Sequence, residues 1–231
     1  EMTSSLVGSE MCIRDRLKAP VSVVFTKHFK PMVIGTFIMV ATYSLFYIMT
    51  AFAQAYSRTP ATLSEAGYPM GLGIPANTFT GLLLMSAIVF AIFISISGLY
   101  ADKIGRRKWL IWTTVSILIF ALCMPLFLGN GTPTSVFAFL VIGMALMGMT
   151  FGPMAALLPE LFPTEVRYSG ASLAYNIASI IGATIAAMIS LKINALYGLM
   201  GVGIYLAINA FLTLLALLAS KETKNVDLTQ I

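Results

Sequence analysis

The feature that most constrains this chain is a series of six long apolar segments, separated by short stretches that hold nearly all of its charge. Charged residues make up only 10% of the 231 residues and hydrophobic residues 58%, whereas a soluble globular domain carries about 25% charge. About 20 helical residues cross the 30 Å hydrocarbon core of a bilayer, so each segment is long enough to span it. The segments are 31–56, 78–101, 109–128, 134–158, 168–191 and 198–220.

Backbone amides and carbonyls inside a bilayer must be hydrogen-bonded within the segment, which makes α-helix the structure expected for runs of this length. The sequence therefore predicts an all-α integral membrane protein, with a bundle of six transmembrane helices over residues 31–220 and no separate soluble domain. In the fourth run, Gly148 and Gly152 have the spacing that permits close helix crossing, and Pro153 favours a kink. Cys12 and Cys123 are too few and too far apart to predict a disulfide framework or a metal site.

The cations are distributed unevenly between the two sides of the predicted bundle. When the segments between helices are assigned alternately to opposite sides, 12 of the 14 Lys and Arg residues fall on one side, and only Arg58 and Lys192 on the other. By the positive-inside rule, the side that holds most of the Lys and Arg residues is cytoplasmic, which places both termini in the cytoplasm. Residues 17–30 and 221–231 are then a cytoplasmic segment and a cytoplasmic tail. Because the net charge of +5 follows this alternation, we expect no nucleic-acid partner.

The first residues differ in character from everything that follows. Residues 5–16 read SLVGSEMCIRDR, which resembles translated sequencing-adapter DNA at the edge of a gene fragment. They lack the charged start and apolar core of a signal peptide. We expect residues 1–16 to be non-native and the gene to continue upstream. Without Arg14 and Arg16 the distribution of cations is still 10 to 2, so the predicted topology does not depend on them.

Two loops on the cytoplasmic side combine glycine or proline with charges of both signs. Carboxylates and guanidiniums at a partly desolvated membrane surface can form strong pairs that a conformational change can break. Topology anchoring alone is the simpler explanation for cations at a helix end, but it does not account for the acidic residues and glycines at matching positions. The residues predicted to form a cytoplasmic gate are Gly98, Asp102, Gly105, Arg106, Arg107, Glu160 and Arg167.

Three stretches resemble the major facilitator superfamily of secondary transporters. Gly98-x-x-x-Asp102-x-x-Gly105-Arg106-Arg107 resembles its signature loop, and Pro159-Glu160-x-Phe162-Pro163-Thr164-x-x-Arg167-x-Ser169-Gly170 resembles a loop in the carboxyl half of its metabolite:proton symporters. The tail beginning Lys221-Glu222-Thr223 is similar to the ending of that branch and of sugar porters. The resemblance covers residues 17 to about 228. It implies one half of a twelve-helix fold, whose missing amino-terminal half is the partner of this bundle, in the bacterial inner membrane.

Polar residues form stripes along two of the predicted helices. Intervals of 7, 4, 3 and 4 place Thr36, Tyr43, Tyr47, Thr50 and Gln54 on one face of the first helix. The fifth helix has Ser172, Tyr175 and Ser179 on one face, with Asn176 beside them. Such stripes avoid lipid, so they face either a water-filled cavity or neighbouring helices. The resemblance favours the cavity. The predicted substrate-path residues are Tyr43, Tyr47, Thr50, Gln54, Tyr175, Asn176 and Ser179.

The function implied by the resemblance is movement of a small polar metabolite by alternating access, coupled to protons. The predicted spans hold no Asp, Glu, Arg, Lys or His in their interiors, so a proton-coupling group would lie in the missing half. The alternatives are a sugar porter of the same superfamily and a membrane scaffold that transports nothing. An enzyme would need a nucleophile, a metal cluster or paired carboxylates at membrane depth. The sequence shows none of these, and it predicts no cofactor.

Overall fold

The computed structural model describes residues 20–220, and every regular element there is helical. The predictions for residues 1–16 and for the tail 221–231 lie outside these residues. Two π-helical segments, Ile48–Phe52 and Ile180–Ile185, interrupt otherwise continuous helices. The α-helices in chain order are α1 (Pro20–Lys27), α2 (Phe29–Tyr47), α3 (Ala53–Arg58), α4 (Ala76–Ile104), α5 (Arg106–Leu122), α6 (Met124–Leu128), α7 (Pro133–Glu160), α8 (Arg167–Ser179) and α9 (Ala186–Ala219).

Four helical stretches among the described residues are long and apolar enough to cross a membrane. They are Phe29–Arg58, Ala76–Ile104, Pro133–Glu160 and Arg167–Ala219, with mean hydropathies between 1.9 and 2.5. Their degree of burial differs: 72% of the most apolar window of Phe29–Arg58 is buried, against 11% of that of Ala76–Ile104. The first stretch is therefore the centre of the bundle and α4 lies on its outside. The predicted all-helical membrane architecture is confirmed.

The helices are interrupted near a proline, which has no amide hydrogen, and at a glycine, which has no side chain. The run predicted at 109–128 is divided at Cys123 into α5 and α6, and Pro125 lies in the first turn of α6. Proline has no amide hydrogen and is favoured at the first turn of a helix. Within α9, Gly198 has φ 67° and ψ −172°, which no α-helical residue adopts. The 53 residues of Arg167–Ala219 are therefore not one straight rod.

The two π-helical segments lie in the helices that carry the predicted polar stripes. A π-helix closes i→i+5 hydrogen bonds, so residues beyond it are rotated relative to a regular 3.6-residue repeat. Ile48–Phe52 falls between Tyr47 and Gln54, which the sequence assigned to one regular face. Ile180–Ile185 follows directly on Ser179. A single helical stripe therefore does not describe either helix over its whole length.

Helices α4 and α7 cross at glycines, as the spacing in the sequence predicted. A Cβ added to Gly152 would lie 2.7 Å from the Ile94 carbonyl oxygen and 3.0 Å from the Gly98 amide nitrogen, so any side chain there would displace the neighbouring backbone. The Ser97 hydroxyl donates to the Gly148 carbonyl across the same crossing at 3.0 Å. This contact holds the outer helix α4 against the bundle.

The connection from Thr59 to Pro75 folds back over the end of the bundle opposite the charged loops. Its backbone amides at Leu72 and Ile74 donate to the Tyr56 and Ser57 carbonyls at the end of the first helical stretch, at 3.1 and 2.8 Å, and the Gly73 amide donates to the Thr59 carbonyl within the connection at 2.8 Å. The Asn194 amide donates to the Pro69 carbonyl at 3.0 Å. The Tyr68 ring packs against Gly198, where an added Cβ would lie 2.6 Å from it. We call residues 59–75 the loop brace, because their backbone and side-chain contacts connect α3 with α9.

Candidate functional site

Three of the predicted gate residues meet at one end of the bundle, which we call the charged end. Arg106, the first residue of α5, donates from Nε to the Asp102 carboxylate at 3.0 Å, and its Nη2 lies 3.0 Å from the same oxygen. Its Nη1 donates to the Glu160 carboxylate at the end of α7. One guanidinium therefore joins α4, α5 and α7. We call Asp102, Arg106 and Glu160 the charged junction.

The two arms of the charged junction are not equally desolvated. The side chain of Asp102 is 63% exposed, whereas those of Arg106 and Glu160 are 24% and 12% exposed. An exposed ion pair contributes little because water and salt screen it. A pair with a nearly buried carboxylate is stronger, and losing one partner leaves a desolvated charge. The Arg106–Glu160 arm therefore carries most of the interaction energy.

The charged residues sit at helix ends where the helix dipole disfavours them. Asp102 and Glu160 lie in the last turns of α4 and α7, and Arg106, Arg107 and Arg167 lie in the first turns of α5 and α8. An acid at a carboxyl-terminal end or a base at an amino-terminal end costs about 0.3–1 kcal/mol. These charges do not stabilise their own helices, so their contribution lies in the contacts they make between helices.

The two glycines of the first loop have different surroundings. Gly105 has φ 111° between α4 and α5, a conformation that side chains rarely adopt, and this sharp turn brings Arg106 back beside Asp102. A Cβ added to Gly98 would meet nothing within 4 Å, although the Gly98 backbone faces Gly152. Gly105 thus shapes the charged junction directly, whereas Gly98 belongs to the crossing of α4 and α7.

Arg107 makes a contact that the sequence did not indicate. Its Nε donates to the Leu217 carbonyl at 2.7 Å and its Nη2 to the Leu218 carbonyl at 3.0 Å. These carbonyls lie in the last turn of α9, which no backbone amide of the helix satisfies. Arg107 therefore caps α9 from the start of α5, while its neighbour Arg106 pairs with carboxylates. The sequence places both arginines close to Asp102, but it does not indicate their other partners, which are 54 and 110 residues away.

Trp109 is a second residue whose role the sequence did not show. Its indole amine donates to the Met149 carbonyl at 2.9 Å, and its ring stacks on Tyr100 at 6.0 Å between centroids. Pro153 lies four residues after Met149 and has no amide to donate to that carbonyl. The indole supplies the donor that the proline removes. A proline inside a predicted membrane helix is thus a usable signal that another donor is close.

The predicted path residues of the first stretch are mostly packed inside the bundle. Tyr43 is 6% exposed, and its ring meets that of Tyr175 edge-on at 5.4 Å between centroids. Thr50 donates to the Phe46 carbonyl in its own helix at 2.7 Å. Tyr47 and Gln54 are half-buried. Of these four residues, only Tyr43 contacts a predicted path residue of another helix, Tyr175.

The candidates on α8, which is part of the predicted fifth helix, are more accessible. Tyr175 and Asn176 are exposed and Ser179 is half-buried. The Asn176 amide donates to the Ser172 carbonyl one turn earlier, at 2.8 Å. Tyr175 lines a cavity of about 830 Å³ that reaches the charged end, and it is the one path candidate that does so among the described residues. The cavity is lined by Met39, Phe151, Met154, Ala155, Leu158, Pro159, Thr164, Arg167, Tyr168, Ala171, Ser172 and Tyr175.

Arg167 enters this cavity instead of the charged junction. Its Nε donates to the Phe162 carbonyl at 3.3 Å, across the turn that precedes α8. Its Nη2 is buried and has no hydrogen-bond acceptor among residues 20–220. Over the same residues, no group of three His, Cys, Asp or Glu side chains is placed to hold a metal ion. The charged end therefore combines two features: ion pairs that can separate, in the charged junction, and a neighbouring cavity with Arg167 at its end.

These features occur in a chain that belongs to a transporter family. The model of the family described as sugar (and other) transporters matches residues 71–231, and the chain is a member of it. This match, which includes the charged junction and the cavity-lining part of α8, confirms the resemblance to major facilitator transporters. None of the solved structures matches the chain significantly.

Individual relatives have transporter names. The chain is 86% identical over 216 residues to a protein of Haemophilus influenzae whose name describes it as a metabolite transport protein; the match covers 94% of this chain and 49% of that protein. It is 50% identical to the inner membrane metabolite transport protein YhjE of Escherichia coli, over 93% of this chain and 48% of that one. A proline/betaine transporter of Salmonella typhimurium is 27% identical, over 94% and 41%. The chain thus spans about half the length of the relatives it matches.

Proposed function

We propose that this chain is the carboxyl-terminal half of a multi-pass inner membrane transporter, which moves a small polar metabolite by rocking against a second helical bundle. The observation that carries the proposal is the charged junction in a member of this family. Arg106 holds three helix ends together through two carboxylates, one exposed and one nearly buried. Such a contact is strong when closed and can open by exchanging its partners for water.

Six crossings with both ends cytoplasmic fit the described helices. At 1.5 Å per residue, Arg167–Ala219 would be about 80 Å long as a straight helix, more than twice the hydrocarbon core. The conformation of Gly198 divides it into two spans joined under the loop brace. Helices α5 and α6 together supply the remaining span. This topology puts the charged end at the cytoplasm, where the positive-inside rule places its cations.

The gate in this proposal comprises Gly98, Asp102, Gly105, Arg106, Arg107, Glu160 and Arg167, with distinct tasks. The charged junction opens and closes, and Gly105 sets its geometry. Arg107 keeps α9 attached to α5. The path contains Tyr43, Tyr47, Thr50, Gln54, Tyr175, Asn176 and Ser179, and the contact between Tyr43 and Tyr175 joins its two walls. Protons are the proposed coupling ion, acting through residues of the other half.

The direct test is uptake by a joined protein, in which residues 20–231 of this chain replace the corresponding half of the 86% identical Haemophilus influenzae protein. Vesicles with an imposed proton gradient should accumulate at least one of labelled proline, glycine betaine, succinate or glucose. Proline and glycine betaine come first because relatives are named for them. Glucose tests the sugar-porter alternative, which the family description favours. Accumulation of none of the four would contradict the proposal.

Topology is tested separately by labelling single cysteines in a cysteine-free joined protein with a membrane-impermeant maleimide. A cysteine at position 65, in the loop brace, should react in intact cells. A cysteine at position 104, at the end of α4, should react only after the membrane is permeabilised. The opposite pattern would overturn the proposed orientation. Position 65 lies in the loop before α4 and position 104 is the last residue of that 29-residue helix, so the two positions lie on opposite sides of the membrane in this topology.

A further inference from the structure

The hydroxyl of Thr213 in α9 bonds to a different helix, whereas threonine in a helix usually bonds to its own backbone. Thr80 and Thr113, for example, donate to the carbonyls four residues earlier at 2.9 and 3.0 Å. The Thr213 hydroxyl donates to the Phe37 carbonyl of α2 at 2.6 Å and accepts from the Ala41 amide at 3.1 Å. These two partners lie 176 and 172 residues earlier in the chain.

The two partners of Thr213 are the donor and the acceptor of one turn of α2. In an α-helix the amide of residue 41 donates to the carbonyl of residue 37, and a side chain that inserts into this ladder bends the helix. The Thr213 hydroxyl gives the Ala41 amide a second acceptor and the Phe37 carbonyl a second donor. Thr213 is 2% exposed, so no water competes for these contacts. Without the hydroxyl, the two backbone groups have only each other.

A second polar contact joins the same two helices. Asn209, one turn before Thr213 on α9, donates from its side-chain amide to the Ser44 hydroxyl at 2.9 Å, and both residues are buried. Lipid offers no hydrogen bonds in exchange for such contacts between membrane helices. We call Asn209 and Thr213 the polar clamp. It holds α2 to α9 from Phe37 to Ser44.

The clamped part of α2 carries the path candidate Tyr43. Successive residues of a helix are rotated by about 100°, so Tyr43 projects from a different side of α2 than Ala41 and Ser44 do. On that side its ring meets Tyr175 of α8, at 5.4 Å between centroids. A Cβ added to Gly182 would lie 2.5 Å from the Cβ of Tyr43, so the neighbouring π-helical segment leaves little free space. A bend or rotation of the clamped turn would therefore displace Tyr43 relative to Tyr175.

The polar clamp also lies close to the charged end. Thr213 is four residues before Leu217, whose carbonyl accepts from Arg107 Nε at 2.7 Å. Adjacent turns of α9 thus contact α5 and α2. Contiguous contacts of this kind can carry energetic coupling between two sites.

We propose that Thr213 is a positioning residue of the transport path: its hydroxyl sets the conformation of the turn from Phe37 to Ala41 and thereby places Tyr43 against Tyr175. The polar clamp acts from the side of α2 opposite to α8, so Thr213 itself does not need to touch the solute. This inference rests on the proposed function, because the path is part of that proposal.

The first test observes the Ala41 amide by nuclear magnetic resonance. Val40-Ala41 is the one Val-Ala pair in the 231-residue sequence. The chain labelled with ¹³C at valine carbonyls and ¹⁵N at alanine therefore gives a single signal in an amide–carbonyl correlation spectrum. In phosphatidylcholine nanodiscs, Thr213→Val should shift this signal, because it removes the hydroxyl and keeps the branched shape. Thr213→Ser keeps the hydroxyl and should restore the signal to its position in the unsubstituted chain.

Thr113→Val is the matched control, since Thr113 is also buried but bonds to its own helix. It should leave the Ala41 signal unchanged. If Thr213→Val does not fold by circular dichroism, Thr213→Ala removes the same hydroxyl without adding a methyl group. An Ala41 signal that is the same with and without the Thr213 hydroxyl would refute the contact and the inference with it.

The second test follows the ring of Tyr43. Fluorotyrosine incorporated at position 43 alone gives a ¹⁹F signal that depends on the neighbouring Tyr175 ring. Thr213→Val should shift this signal, whereas Thr213→Ser and Thr113→Val should not. A shift of the Ala41 signal without a shift of the fluorine signal would overturn the positioning role, because the turn would then change without displacing Tyr43.

Uptake by the joined protein separates positioning from stability. With labelled proline, glycine betaine, succinate and glucose as the probes, Thr213→Val should raise KM about tenfold for each solute that accumulates, an effect in the range of one buried hydrogen bond. The maximal rate per folded molecule should change less, and Thr213→Ser should restore KM. A role in stability alone would instead lower the amount of folded protein and leave KM unchanged.

The outcomes distinguish this inference from the proposed function. Uptake with an unchanged KM in Thr213→Val would overturn the inference and leave the transporter proposal intact. Absence of uptake by the unsubstituted joined protein would refute the transporter proposal. The Ala41 and fluorine signals would then still decide whether Thr213 places Tyr43 against Tyr175.

Discussion

The two ends of this bundle are held together by different kinds of contact. At the charged end, α4, α5 and α7 meet through the side chains of Asp102, Arg106 and Glu160. At the opposite end, the loop brace joins the helices through backbone hydrogen bonds, the Asn194 amide and the packing of Tyr68 on Gly198. Side-chain ion pairs can exchange with water, whereas a folded loop must unfold to release its contacts. We therefore propose that the helices of this bundle separate at the charged end while those held by the loop brace stay together.

The largest expected effect is loss of transport at the charged end. In the joined protein, Arg106→Gln should reduce uptake at least about tenfold, because it removes the partner of both carboxylates and closure loses a differential stabilisation of about 1.4 kcal/mol or more. Asp102→Asn alters only the 63% exposed arm and should reduce uptake less, with membrane insertion unchanged. Arg58→Gln removes an exposed charge at the opposite end and serves as the control. Normal uptake in Arg106→Gln would reduce the loop to an anchor of topology.

At the opposite end, substitutions should affect stability first. Gly198→Ala combines a positive φ with a Cβ 2.6 Å from the Tyr68 ring, and should lower the free energy of unfolding by about 2–5 kcal/mol. Gly67→Ala is a matched control, because Gly67 also has a positive φ but nothing within 4 Å, and it should cost about 1–2 kcal/mol. Equal losses of unfolding free energy in the two variants, measured by denaturant titration, would show that the contact of Tyr68 with Gly198 adds nothing to the cost.

A substitution of Arg107 tests whether holding α9 against α5 and opening the charged junction are separate roles at the charged end. Arg107→Gln should lower the free energy of unfolding by about 1–3 kcal/mol, because two carbonyls of α9 lose a charged donor. Uptake per folded molecule should fall less than in Arg106→Gln. Lys108→Gln, an exposed neighbour, should stay within about 0.5 kcal/mol of the unsubstituted protein. An uptake defect in Arg107→Gln as large as that of Arg106→Gln would show that the two arginines do not have separate roles.

The smallest effect is expected at Trp109. Trp109→Phe keeps most of the ring but removes the donor to the Met149 carbonyl, and should cost about 1 kcal/mol of unfolding free energy. Trp112→Phe is the control, since that residue is 76% exposed. Identical melting curves for the two variants would mean that water already satisfies the carbonyl that Pro153 leaves free.

The sequence was sufficient for features that follow from local chemistry. Apolar runs predicted the helices, the spacing of Gly148 and Gly152 predicted their crossing, and the loop residues predicted the family. It placed Asp102, Arg106 and Arg107 in one loop, but it could not show that Arg106 also pairs with Glu160 or that Arg107 contacts α9, because these partners come from distant helices. It also assigned Tyr47 and Gln54 to one regular helical face, because the sequence does not reveal that the segment between them is π-helical. The packing of Tyr43 against Tyr175 likewise required the structure.

The most direct measurement of the difference between the two ends is reversible cross-linking in a cysteine-free joined protein. A disulfide-containing bis-maleimide is attached between Ile104→Cys and Leu161→Cys, which flank the charged junction. A second protein carries the same reagent between Pro69→Cys and Tyr197→Cys, which flank the contact of Tyr68 with Gly198. Uptake should be lost in the first protein and restored by reduction, and should persist in the second. Continued uptake with the charged end cross-linked, or its loss only when the loop brace is cross-linked, would contradict the assignment of the moving end.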